Sequence, residues 1–201
     1  SQAQFDEFTE FSSTGGDPYG GGGSGGTAGI DLSGTHAKIS TIQSHHTPNF
    51  SGAKLGSVDF TGSDLSGATF SSTTEFAYDD GSGTIQGVNL SGTNAKISSI
   101  TSMADFRGAK LGSVDFTGSD LSNAQFDNNT VFTYDAGFGI KGANLSGTNA
   151  VLRDLSGPID FRGVKLAGVR FENSDLSQAQ FDEFTEFSST GGDPYGGGGS
   201  G

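Results

Sequence analysis

Few side chains in this chain are of a type that does acid–base or metal chemistry, and their placement does not favour it. The histidines are His36, His45 and His46, and cysteine is absent. His45 and His46 lie in an irregular polar stretch whose counterparts later in the chain have no histidine. Catalysis or zinc binding needs partner residues that converge on one point, and neither the histidines nor the many serines have recognisable partners. The sequence therefore predicts no catalytic residue and a protein that is not an enzyme.

Acidic turns are the remaining candidate for a ligand site. Asp79 and Asp80 lie in YDDGSG, Asp135 lies in YDAGFG and Asp193 lies in GGDPYG. Ca²⁺ takes roughly six to eight oxygen ligands, but the alternating Asp/Asn pattern that ends in a bidentate Glu is missing here. Asp beside Gly is also ordinary turn chemistry, because Gly adopts positive φ. Calcium is the single candidate cofactor, with a plain turn as the alternative.

Large apolar residues recur at every fifth position in three runs of the chain. A small residue usually stands two positions before each of them, and Ser, Thr or Gly usually follows. The stretch AKLGSVDFTGSDLS is identical at 53–66 and 109–122. We call the large apolar residues the ladder: Phe50, Leu55, Phe60, Leu65, Phe70, Phe106, Leu111, Phe116, Leu121, Phe126, Phe161, Leu166, Phe171, Leu176 and Phe181.

A spacing of five fits neither a strand, whose period is about two, nor a helix, whose period is about 3.6. Glycines two positions after ladder residues, such as Gly52 and Gly108, would also cost a helix roughly 1 kcal/mol each. The spacing fits a chain that turns a corner every five residues and sends one large and one small side chain inward per side. Four sides make a coil of about 20 residues, so Phe50 is predicted to stack under Phe70.

This pattern resembles the pentapeptide-repeat family, whose consensus is A-[D/N]-L-x-x with Leu or Phe at the centre. Matching units are SDLSG (63–67), ADFRG (104–108), GANLSG (142–147) and SDLSQ (174–178). The resemblance implies an all-β fold, a right-handed quadrilateral parallel β-helix. The departures are KISTIQSHHTPN (38–49), its counterparts, and the loops after each run. The Thr-x-Phe that opens each loop, at Thr74, Thr130 and Thr185, is predicted to plug a corner of the coil.

Repetition also sets the predicted boundaries. Residues 1–25 (the first copy) recur letter for letter as residues 177–201 (the second copy), an offset of 176 from Ser1 to Ser177. Leu-Ser-Gly at Leu32, Leu90 and Leu145 marks three homologous modules. The predicted segments are a half-coil at 1–19 that recurs at 177–195, a Gly/Ser linker at 20–26, modules at 27–86, 87–141 and 142–195, and a Gly/Ser tail at 196–201.

Three origins explain the duplicated ends. The chain is a window cut from an array of 176-residue units, a circular permutant with overlapping ends, or a designed assembly in which one terminal copy docks into the neighbouring molecule. A Gly/Ser linker behaves as flexible coil and is compatible with each. The compartment is not predicted, except that a natural fibre repeat would be extracellular.

Composition agrees with a solenoid. Glycine is 35 of 201 residues, hydrophobic content is 31% and the net charge is −13. A solenoid needs only one or two large residues per side, because each coil packs on its neighbours. No segment reaches the roughly 18 apolar residues of a membrane span, and no signal peptide opens the chain.

These observations predict a structural role. Coils extend by stacking, and uncapped solenoid ends invite pairing, so we predict a unit of a fibre or self-assembling scaffold, with self-association through the solenoid ends and no nucleic acid as partner. The alternative implied by the family resemblance is an acidic DNA mimic that acts on a type II topoisomerase. Against it, Lys54, Arg107 and Lys110 share the coils with the aspartates. Ice or surface binding through Ser/Thr rows is a further alternative.

Overall fold

The structure, a computed structural model, describes residues 12–13, 28–40, 42, 47–101 and 103–188. His45, His46, Asp193, the predicted linker and the predicted tail lie outside the described residues. Within the described residues the chain forms short strands and turns, and no helix there is long and apolar enough to cross a membrane.

A β-turn at each corner produces the five-residue spacing. In the first run the amide three residues after each ladder residue donates to that residue's carbonyl: Ala53 to Phe50 at 3.0 Å, Val58 to Leu55 at 2.9 Å, Ser63 to Phe60 at 2.9 Å and Ala68 to Leu65 at 3.0 Å. At two of these corners the third turn position is glycine, with φ of 71° at Gly52 and 95° at Gly62. A positive φ at that position defines a type II turn, which glycine adopts without steric cost.

Successive coils stack in parallel. Isolated parallel bridges join residues one coil apart, and the bridged pair Asn49 and Thr69 lies 20 residues apart in the sequence. The bridging residue immediately precedes a ladder residue, whose own amide continues the contact: the Phe50 amide donates to the Thr69 carbonyl at 2.8 Å. The predicted fold class, a right-handed quadrilateral parallel β-helix, is confirmed.

The longer strands belong to hairpins that leave the coils and to one parallel pair. Their bounds in the described residues are β1 Ser12–Ser13, β2 Ala28–Gly29, β3 Ala77–Asp79, β4 Ile85–Gly87, β5 Thr133–Asp135, β6 Ile140–Gly142, β7 Val151–Arg153 and β8 Arg170–Glu172. Antiparallel pairing joins β1 with β2, β3 with β4 and β5 with β6, while β7 and β8 pair in parallel on adjacent coils.

The hairpins lie flat against the coils because glycine allows a close approach there. A Cβ built on Gly112 would lie 2.3 Å from the backbone of Thr133 in β5, and one on Gly92 would lie 2.7 Å from the ring of Tyr134. Real Cβ contacts are never so short, so a larger residue at either position would push the hairpin away. The loops after each run are thus packed parts of the solenoid.

The ladder residues form the core, and their exposure to solvent increases toward the C-terminal end. Ladder residues from Phe50 to Leu166 are buried, with at most 8% of any side chain exposed. Burial of each stabilises the fold by roughly 1.5–3 kcal/mol. Phe171 and Leu176 are only half-buried, and Phe181 is 39% exposed. Phe181 faces the interior stack yet is less buried than the ladder residues before it, because among the described residues no further coil covers it.

Candidate functional site

The described calcium candidates lie at the tips of hairpins and make ordinary turn contacts. Asp79 accepts a hydrogen bond from the Gly81 amide at 2.8 Å, and Asp135 accepts one from the Gly137 amide at 2.8 Å. Asp80 accepts one from the Ser82 amide at 2.8 Å. Across the described residues no three His, Asp or Glu side chains are grouped as a metal site would need. Calcium binding stays a prediction, and Asp193 lies outside the described residues.

His36 lies at an exposed corner of the coil. It is exposed, its φ is 52°, and its backbone amide donates to the Ser57 hydroxyl at 3.2 Å. The positive φ is shared by Asn94 (55°) and Asn149 (57°), which occupy the same position in the next two modules. His36 therefore occupies a position whose shared feature is the backbone turn of the coil.

A continuous stack of phenylalanine rings runs through the interior. Phe50 stacks on Phe70 with ring centroids 5.4 Å apart, and Phe106 stacks on Phe126 at 5.6 Å. Phe161 stacks on Phe181 at 5.6 Å. The stack confirms the stacking order that the five-residue spacing predicts, since each pair is one coil apart.

The stack crosses from one predicted module to the next through the Phe of each Thr-x-Phe. Phe76 contacts Phe70 at 5.9 Å and Phe106 at 4.8 Å, and Phe132 contacts Phe126 at 5.8 Å and Phe161 at 5.3 Å. Phe76 and Phe132 are consequently 0% and 1% exposed. We call these two places the internal junctions.

On the same Thr-x-Phe at the C-terminal end, no described residue stacks as a further coil. Phe187 contacts Phe181 at 5.5 Å, as Phe132 contacts Phe126, but Phe187 is 61% exposed. The neighbouring Phe184 is 67% exposed. We call Phe181 and Phe187 the open end. Their two exposed rings, which contact each other, form an apolar surface of the kind that marks an interaction site.

A buried threonine hydroxyl secures each of these coils. Thr74 donates to the Phe50 carbonyl at 2.9 Å, Thr130 to the Phe106 carbonyl at 3.0 Å and Thr185 to the Phe161 carbonyl at 3.0 Å. Thr74 and Thr130 are 4% and 3% exposed, while Thr185 is only half-buried. These bonds agree with the predicted role of the threonine at the corner, and they show that the last coil is built like the internal ones.

An amide-to-carboxylate contact crosses each internal junction. Asn89 donates through Nδ2 to Asp59 Oδ1 and to the Thr61 hydroxyl, both at 3.0 Å. Asn144 makes the same contacts with Asp115 and Thr117, both at 3.1 Å. In each case an asparagine of the later module supplies the donor and an aspartate of the earlier module accepts.

The junction carboxylate of Asp59 is kept ionised by its neighbours. Partial burial by itself would raise the pKa of Asp59, but hydrogen bonds from the Thr61 hydroxyl and amide, with the charges of Lys38 and Lys110, hold its pKa below the ordinary value. An ionised acceptor strengthens the hydrogen bond that it receives. The Asn89 contact therefore joins the two modules more firmly than a neutral pair would.

The N-terminal end of the stack carries a different residue at the asparagine position. Asp31 precedes Leu32 as Asn89 precedes Leu90 and Asn144 precedes Leu145. Asp31 Oδ1 accepts from the Ser33 amide at 3.0 Å and the Ser33 hydroxyl at 2.6 Å, and the Ser33 hydroxyl bond is the main cause of its lowered pKa. Asp31 is exposed, whereas Asn89 and Asn144 are half-buried.

The C-terminal end carries a different residue at the aspartate position. Arg170 precedes Phe171 as Asp59 precedes Phe60 and Asp115 precedes Phe116. Arg170 is exposed and makes no ion pair with any described residue. Neither Asp31 nor Arg170 was predicted as a functional residue. Their signal is a departure from the module pattern: both internal pairs are Asp with Asn, while the two ends carry Arg and Asp.

Among the described residues, several lysine and arginine side chains form ion pairs with carboxylates across or within coils. Lys38 lies 3.8 Å from Asp59, Lys54 lies 3.4 Å from Glu75 and Lys165 lies 3.0 Å from Glu186. Arg107 and Arg162 form ion pairs with Asp105 and Asp160 at 2.6 Å and 2.8 Å. Although the net charge is −13, cations therefore interrupt the acidic rows.

Comparison with known proteins identifies the repeat. The sequence model of the family described as "Pentapeptide repeats (8 copies)" matches residues 49–74, 102–128 and 159–183. No curated protein matches the sequence.

Among solved structures, the chain is similar to full-length QnrB1, a plasmid-mediated fluoroquinolone resistance protein. The identity is 21%, the match covers 76% of this chain and 85% of that chain, and the TM-score is 0.30. It is also similar to HetL from the cyanobacterium Nostoc sp. strain PCC 7120, a pentapeptide repeat protein involved in heterocyst differentiation regulation. That match has 20% identity, covers 75% of this chain and 63% of that chain, and has a TM-score of 0.24. With TM-scores this low, the likeness carries no argument about function.

Proposed function

We propose that this chain, a member of the pentapeptide-repeat family, is a non-enzymatic structural protein whose β-helix joins end to end with further copies into a fibre or scaffold. The observation that carries this proposal is the open end. Phe187 is 61% exposed, although the corresponding Phe76 and Phe132 are covered by the next coil. A second chain that stacks there would cover it in the same way.

Solenoid physics supports the proposal. Each coil of a repeat protein contacts only its neighbours, so terminal repeats normally carry a polar outer face that keeps the protein soluble. The open end instead presents phenylalanine on a coil whose hydrogen bonds follow the internal pattern. Covering these rings with a further coil would bury apolar surface worth roughly 25 cal/mol per Å².

The arrangement of charge favours a structural role over the topoisomerase alternative. A DNA mimic presents continuous rows of negative charge, and here lysine or arginine side chains pair with the carboxylates of several coils. The topoisomerase and the surface-binding alternatives stay predictions.

The test is whether particle mass grows with concentration through the open end. We expect the weight-average mass in light scattering and sedimentation velocity to rise with protein concentration, because joining is bimolecular. Phe187→Asp should abolish this growth by placing a charge at the joint, with little effect on folding because Phe187 is mostly exposed. Met103→Asp is the control: Met103 is 73% exposed and lies in the second predicted module, just before the coil of Phe106.

A chain that stays monomeric at every concentration would contradict the proposal. Equal growth of the Phe187→Asp and Met103→Asp variants would contradict it as well, because association would then take place elsewhere on the surface. A fall in mass for Phe187→Asp alone is the expected result.

A further inference from the structure

We propose that a groove on the side of the solenoid, lined by the rings of Phe138 and Phe184, binds an arginine-bearing segment of another protein. The rings would contact the guanidinium and its apolar neighbours, and carboxylates in the groove would bind its charge. This inference goes beyond the proposed assembly, because the groove does not lie at the end of the stack.

Both rings are exposed and line the same groove. Phe138 is fully exposed at the tip of the β5–β6 hairpin, and Phe184 is 67% exposed. The groove has a volume of about 630 Å³, and its lining also includes Ile140, Arg162, Asp182 and Glu183. We call it the aromatic groove. Large exposed apolar groups that share one surface mark an interaction site.

The two walls of the aromatic groove are anchored at one place on the coil. Gly142, at the end of β6, approaches Gly163 so closely that a Cβ built on Gly142 would lie 2.3 Å from the Gly163 backbone. The Gly163 amide donates to Asp182 Oδ1 at 2.8 Å, and the same oxygen accepts from the Phe184 amide at 3.1 Å. The hairpin and the turn that carries Phe184 are therefore held together before a ligand arrives, which lowers the cost of binding.

The exposure of Phe184 does not depend on its place in the last coil. Its counterpart in the second module is Asn129, which precedes Thr130 as Phe184 precedes Thr185. Asn129 is exposed, although a further coil stacks on the neighbouring Phe132. This side of the coil thus faces solvent whether or not a coil follows, so joining at the open end leaves the aromatic groove accessible.

The two rings depart from the pattern of the preceding module. Phe138 stands in YDAGFG where Ser82 stands in YDDGSG, and Phe184 stands where the second module has Asn129. Ser82 and Asn129 are exposed too, so the fold needs no ring at either position. Two positions far apart in the sequence carry phenylalanine and meet in one groove, which indicates a common ligand. We call the place of Ser82 and Asn129 the polar counterpart.

The aromatic groove is acidic. Arg162 donates from Nε to Asp160 Oδ1 at 3.0 Å and from Nη2 to Asp160 Oδ2 at 2.8 Å. The hydrogen bond with Asp160 is the main cause of its raised pKa, and the charges of Asp182 and Asp135 contribute as well. Glu183 forms no ion pair with a described residue. One arginine that is already bound therefore faces several carboxylates, and a cation is the complementary ligand.

Two lysines line an adjoining groove rather than this one. Lys141 and Lys165 share that groove with Phe184 and Glu183. Lys165 is paired with Glu186 at 3.0 Å, and Lys141 lies on β6 outside the aromatic groove. The aromatic groove thus keeps its negative charge.

The polar counterpart has a similar acidic setting without the rings. Arg107 is bound by Asp105 at 2.6 Å. The hydrogen bond with Asp105 is again the main cause of its raised pKa, with contributions from the charges of Asp127 and Asp79. Since acidic charge is common to both places, the pair of rings is what distinguishes the aromatic groove. The same molecule therefore contains its own control for binding by charge alone.

Arginine fits rings and carboxylates together. Its planar guanidinium stacks on an aromatic face while its N–H groups pair with a carboxylate, and it is less strongly hydrated than the ammonium of lysine. A second copy of this chain is a poorer occupant, because each copy has a net charge of −13 and like charges repel. Its Arg107 and Arg162 are moreover held by their own aspartates. The occupant is therefore a basic segment of a different protein.

Amide chemical shifts test where such a segment binds. The probe is the acetylated and amidated peptide Leu-Arg-Leu-Arg, titrated into the isotope-labelled wild-type chain at low concentration. We expect the amides of Gly139 and Phe184 to shift with saturation, while those of Gly83 and Asn129 at the polar counterpart stay in place. Equal shifts at both places would mean that the peptide follows acidic charge alone, and would overturn the proposed site.

Replacing the rings by the residues of the polar counterpart tests what they contribute. Phe138→Ser combined with Phe184→Asn leaves every charge unchanged and alters only exposed positions. We expect the affinity for a fluorescein-labelled form of the peptide, measured by fluorescence anisotropy, to fall about 5- to 25-fold, because each lost ring contact is worth about two- to fivefold. Met103→Ser is the control, since Met103 is 73% exposed in the second module, and it should bind as the wild-type chain does. Unchanged affinity of the double variant would contradict the inference.

A neutral probe tests the recognition of charge. The same peptide with citrulline in place of arginine keeps the shape and loses the charge, and we expect it to bind about tenfold more weakly. Glu183→Gln should weaken binding of the arginine peptide about two- to fivefold, the effect of one exposed charge contact. Equal binding of the two peptides would show an apolar groove without charge recognition and would overturn the proposed ligand.

Mass measurements separate this inference from the proposed function. The Phe138→Ser, Phe184→Asn variant should still grow in mass with concentration, because its changes lie away from the joint. Loss of that growth would mean that a second copy occupies the groove, and this inference would be wrong. A wild-type chain that binds the peptide at the aromatic groove but never grows in mass would overturn the proposed function and leave this inference in place.

Discussion

The internal junction around Phe116 and the C-terminal coil around Phe171 have nearly the same pattern and different surroundings. Phe116 and Leu121 are 0% exposed, because the coil of Asn144 and Thr148 stacks on them. Phe171 and Leu176 occupy the same positions in the third run and are half-buried. The difference teaches that in this solenoid a ladder residue is buried by its neighbour in the stack rather than by its own segment, as nearest-neighbour architectures require.

The two regions should differ most in the loss of stability caused by placing a charged residue in the ladder. Phe116→Asp should lower the free energy of unfolding by about 5 kcal/mol or more, since it removes a buried ring and leaves a carboxylate without a partner. Phe181→Asp, at a site already 39% exposed, should cost only about 1–2 kcal/mol in the unjoined chain. Urea denaturation of dilute protein measures both. Equal losses would mean that the C-terminal coil is as closed as the interior.

Replacing the threonines of the Thr-x-Phe segments should lower the stability by a smaller amount. Thr130 donates to the Phe106 carbonyl at 3.0 Å and accepts from the Asp127 amide at 3.0 Å. Thr130→Val should cost about 1–3 kcal/mol, because both backbone groups lose their partner in a buried place. Thr185 makes the matching bonds to Phe161 and Asp182 in a half-buried place.

Water can replace the lost bonds at the more exposed threonine. Thr185→Val should therefore cost about 0.5–1.5 kcal/mol, measured by the same denaturation. A larger loss for Thr185→Val than for Thr130→Val would reverse the comparison between closed and open coils.

The repeating core could be predicted from the sequence, because its cause is local. A large residue every five positions, with glycine two places after Phe50 and Phe60, specifies a corner turn and an inward side chain without knowledge of the rest. The local pattern places Phe126 and Phe181 at equivalent ladder positions but does not specify how far each is buried, since burial depends on a following coil that the pattern does not supply.

The hydrogen bonds between asparagine and aspartate at the internal junctions could not be predicted, because they depend on which coils stack on each other. Asp59 and Asn89 lie 30 residues apart with a hairpin between them, and only the stacking register brings them within 3.0 Å. Likewise, the sequence predicted only that the loops after each run depart from the repeat. In the structure the second of these loops forms the β5–β6 hairpin, and the ring of Tyr134 in β5 packs over Gly92. Once the register is known, the exceptional Asp31 and Arg170 stand out from their module counterparts.

Hydrogen exchange at the amide of Leu176 tests the central claim most directly. The corresponding amides of Leu65 and Leu121 donate to the carbonyls of Thr93 and Thr148, both at 2.7 Å, whereas the Leu176 amide has no such acceptor among the described residues. We expect fast exchange at Leu176 in dilute protein, strong protection of it when the chains are concentrated, and unchanged protection at Leu65 and Leu121. A Leu176 amide that is equally protected at all concentrations, or that stays unprotected in the joined chains, would contradict the account.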